Sequence, residues 1–66
     1  MKLYELAKVC LPSVPIYVFT TDRDGKVNGE FESHAKDLRD KSNDWEICDV
    51  EPDGYYIIVN VLSRNA

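Results

Sequence analysis

The chain has 66 residues, with 12 acidic against 8 basic residues and a formal net charge of −4. A chain of this length buries only about 60% of the surface that its unfolded form exposes, so we expect a single domain, residues 1–66, with one small core. The large enzyme folds, such as eight-stranded barrels and dinucleotide-binding sheets, are excluded by length. At 44% hydrophobic and 30% charged residues, the composition is typical of a folded domain.

The two cysteines, Cys10 and Cys48, are far apart and belong to no C-x-x-C pair. Secreted domains of this size usually carry a denser set of disulfides, so the two residues predict reduced, buried thiols. Charges interrupt the start of the chain, where a signal peptide would be apolar, and no apolar run reaches the roughly 18 residues that span a bilayer. We therefore expect a cytoplasmic protein with no membrane partner.

The first predicted elements are a helix and a strand. Apolar residues recur at helical spacing from Leu3 to Cys10, and Pro12 disfavours helix in the residue before it, which predicts a helix over residues 2–11. A run of β-branched and aromatic residues then predicts strand 1 over residues 16–21.

A hairpin follows strand 1. Asp24-Gly25 is typical of a two-residue type I′ turn, which leads into strand 2 over residues 26–32. Asn28-Gly29 is unfavourable inside a strand and predicts a bulge or a longer loop.

The second half of the chain repeats the pattern of helix and hairpin. Ser33 is a suitable cap for a short polar helix over residues 34–41. Strand 3 follows from residue 45, with a bulge near Cys48, and the sequence of residues 51–54 indicates a turn. Strand 4, residues 55–62, is the most hydrophobic part of the chain.

The fold class predicted from this αββαββ order is α+β. Strands 1 and 4 are apolar on both faces and belong in the centre of a sheet, whereas strands 2 and 3 alternate with charge and belong at its edges. We predict a four-stranded antiparallel sheet of order 2-1-4-3 with the N-terminal helix on one face. The second face either curls into a half-barrel or stays exposed as a binding or dimer surface bearing Tyr17, Phe19 and one of Tyr55 and Tyr56.

The short motifs in the sequence do not support catalysis or metal binding. Residues 33–36 have the S-x-x-K spacing of serine acyl enzymes, but the further motifs of those enzymes are missing. Residues 22–25 lack the third oxygen residue and the glutamate of a calcium loop. His34 is the only histidine, and no cysteine pair near it completes a zinc site. We expect no enzyme activity, no metal and no cofactor.

Acidic residues are concentrated in one segment without any base. With a bulge near Cys48, three of these acids share the solvent face of strand 3 and form a negative ridge along a sheet edge. The ridge either prevents the edge from pairing with other chains or recognises a basic surface on a protein partner. Trp45 is then either an anchor for that partner or a core residue. The acids of the segment are Asp44, Glu46, Asp49, Glu51 and Asp53, and those of the ridge are Glu46, Asp49 and Glu51.

Direct nucleic-acid binding is disfavoured, because acids interrupt the basic residues between Lys36 and Lys41 and no basic patch surrounds the aromatic sheet. The candidate site is therefore a protein-binding one. Its residues are Asp44, Trp45, Glu46, Asp49, Glu51 and Asp53 of the edge, together with Tyr17, Phe19 and Tyr55 of the sheet.

The whole pattern resembles a group of small, largely uncharacterised proteins of Gram-positive bacteriophages and mobile elements. The features that carry the resemblance are the opening Met1–Val9 segment, the short hairpin, the polar helical stretch, and the acidic strand whose turn, residues 50–54, leads into an apolar strand. The resemblance implies an accessory protein in the cytoplasm of a bacterial host. Some such proteins, anti-CRISPR proteins among them, inhibit host or bacterial-immunity proteins by occupying their nucleic-acid sites.

We therefore expect a non-catalytic, acidic protein-binding module of the inhibitor type, whose partner is a nucleic-acid-handling protein with a basic surface. The alternative is a small homo-oligomeric structural or assembly protein, which buries its second sheet face against a copy of itself.

Overall fold

A single short helix opens the fold in the structure, a computed structural model that describes residues 1–63. Helix α1 spans Leu3–Val9. The Glu5 carboxylate accepts a hydrogen bond of 2.8 Å from the backbone N–H of Lys2, which satisfies one free donor at the helix start. The helix ends earlier than predicted, because Cys10 is already extended (φ −92°, ψ 152°).

Four strands form one sheet of order β2-β1-β4-β3. The strands are β1 (Pro15–Thr21), β2 (Val27–His34), β3 (Ile47–Asp53) and β4 (Tyr56–Leu62). The two strands that are apolar on both faces lie in the centre and the charged strands lie at the edges, so the predicted α+β class and strand order are confirmed.

The sheet is mixed, and the prediction of a purely antiparallel sheet is wrong. The two hairpins, β1–β2 and β3–β4, are antiparallel, but the central strands β1 and β4 run parallel, with Val18 beside Val59. Strand β3 consequently runs in the same direction as β2. Residues 35–46 return the chain to the other end of the sheet, and a connection of about a dozen residues is what such a crossover needs.

The core lies between one face of the sheet and the elements that cross it. The helix, the crossover and alternate positions of β1 and β4 supply its fully or nearly fully buried residues. Since neighbouring residues of a strand point to opposite faces, the remaining positions of β1 and β4 lie on the other side, which stays open and does not curl into a half-barrel. The core residues are Leu3, Ala7, Ile16, Val18, Ala35, Leu38, Val59 and Val61.

The β1–β2 connection is longer than the predicted two-residue type I′ turn. Only Gly25 (φ +85°) has positive φ there, and the Asp22 carboxylate accepts the N–H groups of Asp24 and Lys26, both at 2.9 Å. This is a longer loop closed by a left-handed glycine. The bulge predicted at Asn28-Gly29 is confirmed, because the pairing register with β1 skips Asn28.

The predicted polar helix over residues 34–41 is wrong. Ser33 is the second-last residue of β2 and not a helix cap, and only Ala35–Asp37 form a single 3-10 turn. The Asp40 carboxylate accepts the Ser42 N–H at 2.8 Å, so a side chain that competes with helical hydrogen bonding turns the chain here.

Two details of the second hairpin also differ from the sequence prediction. Strand β3 continues through Pro52 and Asp53, since an edge strand tolerates proline, and the turn consists of Gly54 (φ +60°) and Tyr55. The bulge at Cys48 is confirmed by the register shift there.

Both cysteines are unpaired as predicted, but Cys48 is exposed and Cys10 is only partly buried.

Candidate functional site

The side of the sheet opposite α1 is an uncovered surface, which we call the open face. Its centre is an apolar and aromatic strip from the two central strands. Most of these side chains are half-buried by their neighbours, and Tyr56 is 37% exposed. The strip consists of Tyr17 and Phe19 of β1 with Tyr56, Ile58 and Leu62 of β4.

Two rows of carboxylates flank this strip. Edge strand β2 places Glu30 and Glu32 on the open face, and edge strand β3 places Asp49, Glu51 and Asp53 there. All five side chains are exposed.

The sheet register arranges these groups in layers across the strands. In one layer Glu32 neighbours Tyr17, and Ile58 separates Tyr17 from Glu51. The next layer repeats this order, with Glu30, Phe19, Asn60 and Asp49. Each layer thus has an aromatic ring on β1 between two carboxylates on the edge strands.

Two tyrosines of the strip form an aromatic pair. The ring centroids of Tyr17 and Tyr56 are 4.9 Å apart, and the ring planes are inclined by 49°. The negative charge of Glu32 and its hydrogen bond with Tyr17 raise the pKa of the Tyr17 hydroxyl above its ordinary value of 10.0. Both effects favour the protonated phenol, which remains a hydrogen-bond donor at neutral pH.

The four strands carry no lysine or arginine. Within the described chain, lysine and arginine side chains lie on or beside α1, in the β1–β2 loop and in the crossover, and the histidine, His34, is the last residue of β2. The two ion pairs found in residues 1–63 both involve Glu46, so neither includes any of the five flanking carboxylates. The open face is therefore a negative surface with an aromatic centre.

The structure brings together five of the nine candidate residues predicted from the sequence. Tyr17, Phe19, Asp49, Glu51 and Asp53 all lie on the open face.

The candidate tyrosine Tyr55 lies outside this face. Tyr55 sits in the β3–β4 turn with 91% of its surface exposed, and Tyr56 occupies the position predicted for it.

The other three candidates lie just before β3 and have structural partners. The Glu46 carboxylate lies 2.9 Å from the Lys2 ammonium, and this contact lowers the pKa of Glu46 and raises that of Lys2. The charge of Asp44 raises the pKa of Lys2 more weakly. Trp45 is half-buried against the core, and its carbonyl accepts the Leu3 N–H at 2.9 Å. The ion pair and the hydrogen bond hold the N-terminal segment against the sheet.

Sequence reasoning missed the row formed by Glu30 and Glu32. Their spacing of two residues in a strand already places them on one face. Only the pairing of Glu32 with Tyr17 and of Glu30 with Phe19 shows that this face is the open one.

The described residues show no enclosed pocket and no group of side chains suited to hold a metal ion. None of the helical segments in residues 1–63 has the length and apolar character that crossing a bilayer requires. No protein-family model, curated protein or solved structure matches the chain.

Proposed function

We propose that the protein is a non-catalytic module that binds a protein partner through the open face, and that the partner contributes a basic, nucleic-acid-binding surface. The observation that supports this most directly is the placement of five carboxylates around an aromatic strip, with no lysine or arginine on any of the four strands. Surfaces that bind nucleic acid present the complementary chemistry, because clustered lysine and arginine side chains contact phosphates there. Occupation of such a surface makes the protein an inhibitor of a nucleic-acid-handling protein.

The spacing of the two acidic rows supports the same proposal. Three strand intervals separate β2 from β3, or roughly 14 Å, and acids within a row are roughly 6.7 Å apart. The major groove of B-DNA, which lies between two rows of phosphates, is about 12 Å wide. Two negative rows on either side of a central strip of rings thus have the general layout of a nucleic-acid groove.

Self-association through the open face is disfavoured by the same charges. A face-to-face dimer brings the carboxylates of one copy against those of the other, and like charges in an interface oppose association. The homo-oligomeric alternative therefore lacks a complementary surface on this face.

The proposal places the protein in the cytoplasm of a bacterial host, as an accessory protein of phage or mobile-element type. Its acids also protect the edges of the sheet from pairing with other strands. Edge protection alone does not require the acids to surround an aromatic strip.

A pair of matched charge-reversal variants tests the proposal. The first replaces Asp49 and Glu51 with lysine on the open face, and the control replaces Asp24 and Asp37 with lysine away from the sheet. Exposed substitutions usually change stability by within about 0.5 kcal/mol each, so both variants are expected to fold. Each is immobilised and incubated with a bacterial lysate, and retained proteins are then challenged with duplex DNA.

We expect the original protein and the control to retain the same nucleic-acid-binding proteins, and the open-face variant to retain none of them. Duplex DNA is expected to displace the retained proteins. Retention of the same proteins by the open-face variant, or failure of DNA to displace them, contradicts the proposal. A stable dimer of the original protein in size-exclusion chromatography with light scattering favours the homo-oligomeric alternative.

A further inference from the structure

The aromatic pair lies between the two acidic rows. In the sheet register Glu32 is the cross-strand neighbour of Tyr17, and Asp53 is the cross-strand neighbour of Tyr56. We infer that the open face receives an arginine side chain of the partner, whose guanidinium lies over the Tyr17–Tyr56 rings and donates hydrogen bonds to the adjacent carboxylates. This inference rests on the proposed function and names the group that the open face recognises.

The chemistry of the pair favours a cation. The face of an aromatic ring carries negative partial charge and attracts a lysine or arginine head group within about 6 Å. The single cation–ring contact found within the described chain joins Lys8 to Tyr4, 5.2 Å from the ring centre, and belongs to helix α1. No such contact inside residues 1–63 occupies the Tyr17–Tyr56 pair, so these rings remain open to a cation from outside.

The arrangement of rings and acids favours arginine over lysine. A guanidinium is planar, so it stacks on a ring while its N–H groups point outward in the ring plane toward carboxylates. Cross-strand neighbours have Cβ atoms about 5 Å apart, which places each carboxylate beside a ring and not beneath it. A lysine ammonium is a compact point charge that is strongly hydrated and gains little from this combination.

The packing of the two rings against each other also supports the inference. The centroids of Tyr17 and Tyr56 are 4.9 Å apart, so each ring has a neighbour on one side. A ring held in place by its neighbour loses less conformational freedom when a guanidinium stacks on it.

Two synthetic peptides of equal length and charge, one built on arginine and one on lysine, test the inference. The expected result with the original protein is that the arginine peptide binds about fivefold more tightly, the ratio that corresponds to roughly 1 kcal/mol of cation–ring interaction. Replacing both tyrosines with leucine is expected to remove this preference, because binding of the arginine peptide weakens more than binding of the lysine peptide. Replacing both with phenylalanine retains the rings and is expected to retain the preference.

The outcomes separate this inference from the proposed function. If neither peptide binds the original protein, both proposals are overturned. If both peptides bind equally, or if the leucine variant keeps the preference for arginine, the open face still recognises a basic surface but the arginine site is overturned. Loss of the preference in the phenylalanine variant likewise overturns stacking on the rings.

A measurement on the original protein makes the test independent of the variants' folding. With an isotopically labelled arginine peptide, ring stacking is expected to shift the NMR signals of the guanidinium and the adjacent methylene to higher field. Unshifted peptide signals on saturation with the protein contradict the inference.

Discussion

Removing one carboxylate from the open face is predicted to stabilise the fold. Glu51 lies in the middle of the acidic row on β3, with Asp49 and Asp53 on the same face two residues away on either side. At a spacing of roughly 6.7 Å, each of the two repulsions costs about 0.6 kcal/mol in water before screening by salt. The unfolded chain retains part of this repulsion, so Glu51→Gln is expected to raise the free energy of unfolding by about 0.5 kcal/mol at low salt.

The dependence of this stabilisation on salt concentration tests whether charge repulsion is its cause. The screening length is about 30 Å at 0.01 M and about 3 Å at 1 M, so the stabilisation by Glu51→Gln is expected to disappear at the higher concentration. Urea unfolding followed by circular dichroism at the two salt concentrations measures both values. Asp24→Asn is the control, because this exposed carboxylate lies between opposing charges, Arg23 next to it and Asp22 two residues away, and its removal is expected to give little stabilisation.

The reasoning is refuted if Glu51→Gln lowers the free energy of unfolding, or if the difference from the original protein is independent of salt. The same substitution is expected to weaken binding of a basic partner. A variant that is more stable and binds less well shows that the carboxylate serves recognition at a cost in stability.

Three further substitutions test the fold. A Cβ at Gly29 would lie 2.8 Å from the Thr20 hydroxyl, so Gly29→Ala is expected to destabilise by about 1 kcal/mol or more in urea unfolding. In a Thr20→Ala background, which already lacks the Thr20–Asn28 hydrogen bond, adding Gly29→Ala is expected to be neutral or stabilising relative to Thr20→Ala alone. Arg39→Met removes hydrogen bonds of 3.2 and 2.8 Å to two backbone carbonyls at the end of α1, and is expected to lower the free energy of unfolding by roughly 2 kcal/mol in the same assay. The Lys2 ammonium holds the pKa of Glu46 below its ordinary value of 4.5, so this pair stabilises the fold above that pH and the contribution is lost as the pH falls through the lowered pKa. Unfolding profiles across acidic pH are expected to be flatter for Glu46→Gln than for the original protein, and equal slopes contradict the assignment.

The order of the strands could be predicted from the sequence, but the direction of one pair could not. Strands β1 and β4 are apolar on both faces, and a central position gives their side chains a neighbouring strand on each edge. A hydrophobic pattern is the same when read in either direction, so it does not distinguish parallel from antiparallel neighbours. The crossover decides this, since Leu38 is buried and Arg39 binds the end of α1, which draws residues 35–46 across the core side of the sheet.

In the candidate site too, features that depend on local residue spacing could be predicted from the sequence, whereas features that depend on the pairing register of the strands could not. Asp49 and Glu51 share a face because they are two residues apart, and the bulge at Cys48 lets both Ile47 and Val50 lie on the core side, which is the signal for the bulge that the sequence contains. The sequence left open whether Tyr55 or Tyr56 lies on the open face, because only the pairing register assigns a face to each residue of β4. In the structure Tyr55 lies in the turn, and Tyr56 pairs with Asp53 on the open face.

The parallel pairing of β1 with β4 also determines how the protein folds. Each hairpin closes over a short loop, and hairpins form within about 1 to 10 μs. The central contact instead joins Ile16 to Ile57, which are 41 residues apart in the chain. Because contacts between distant residues require more chain to be ordered before they form, we expect the docking of the two hairpins to set the folding rate. We therefore expect substitutions at the β1–β4 boundary to slow folding more than substitutions in either turn.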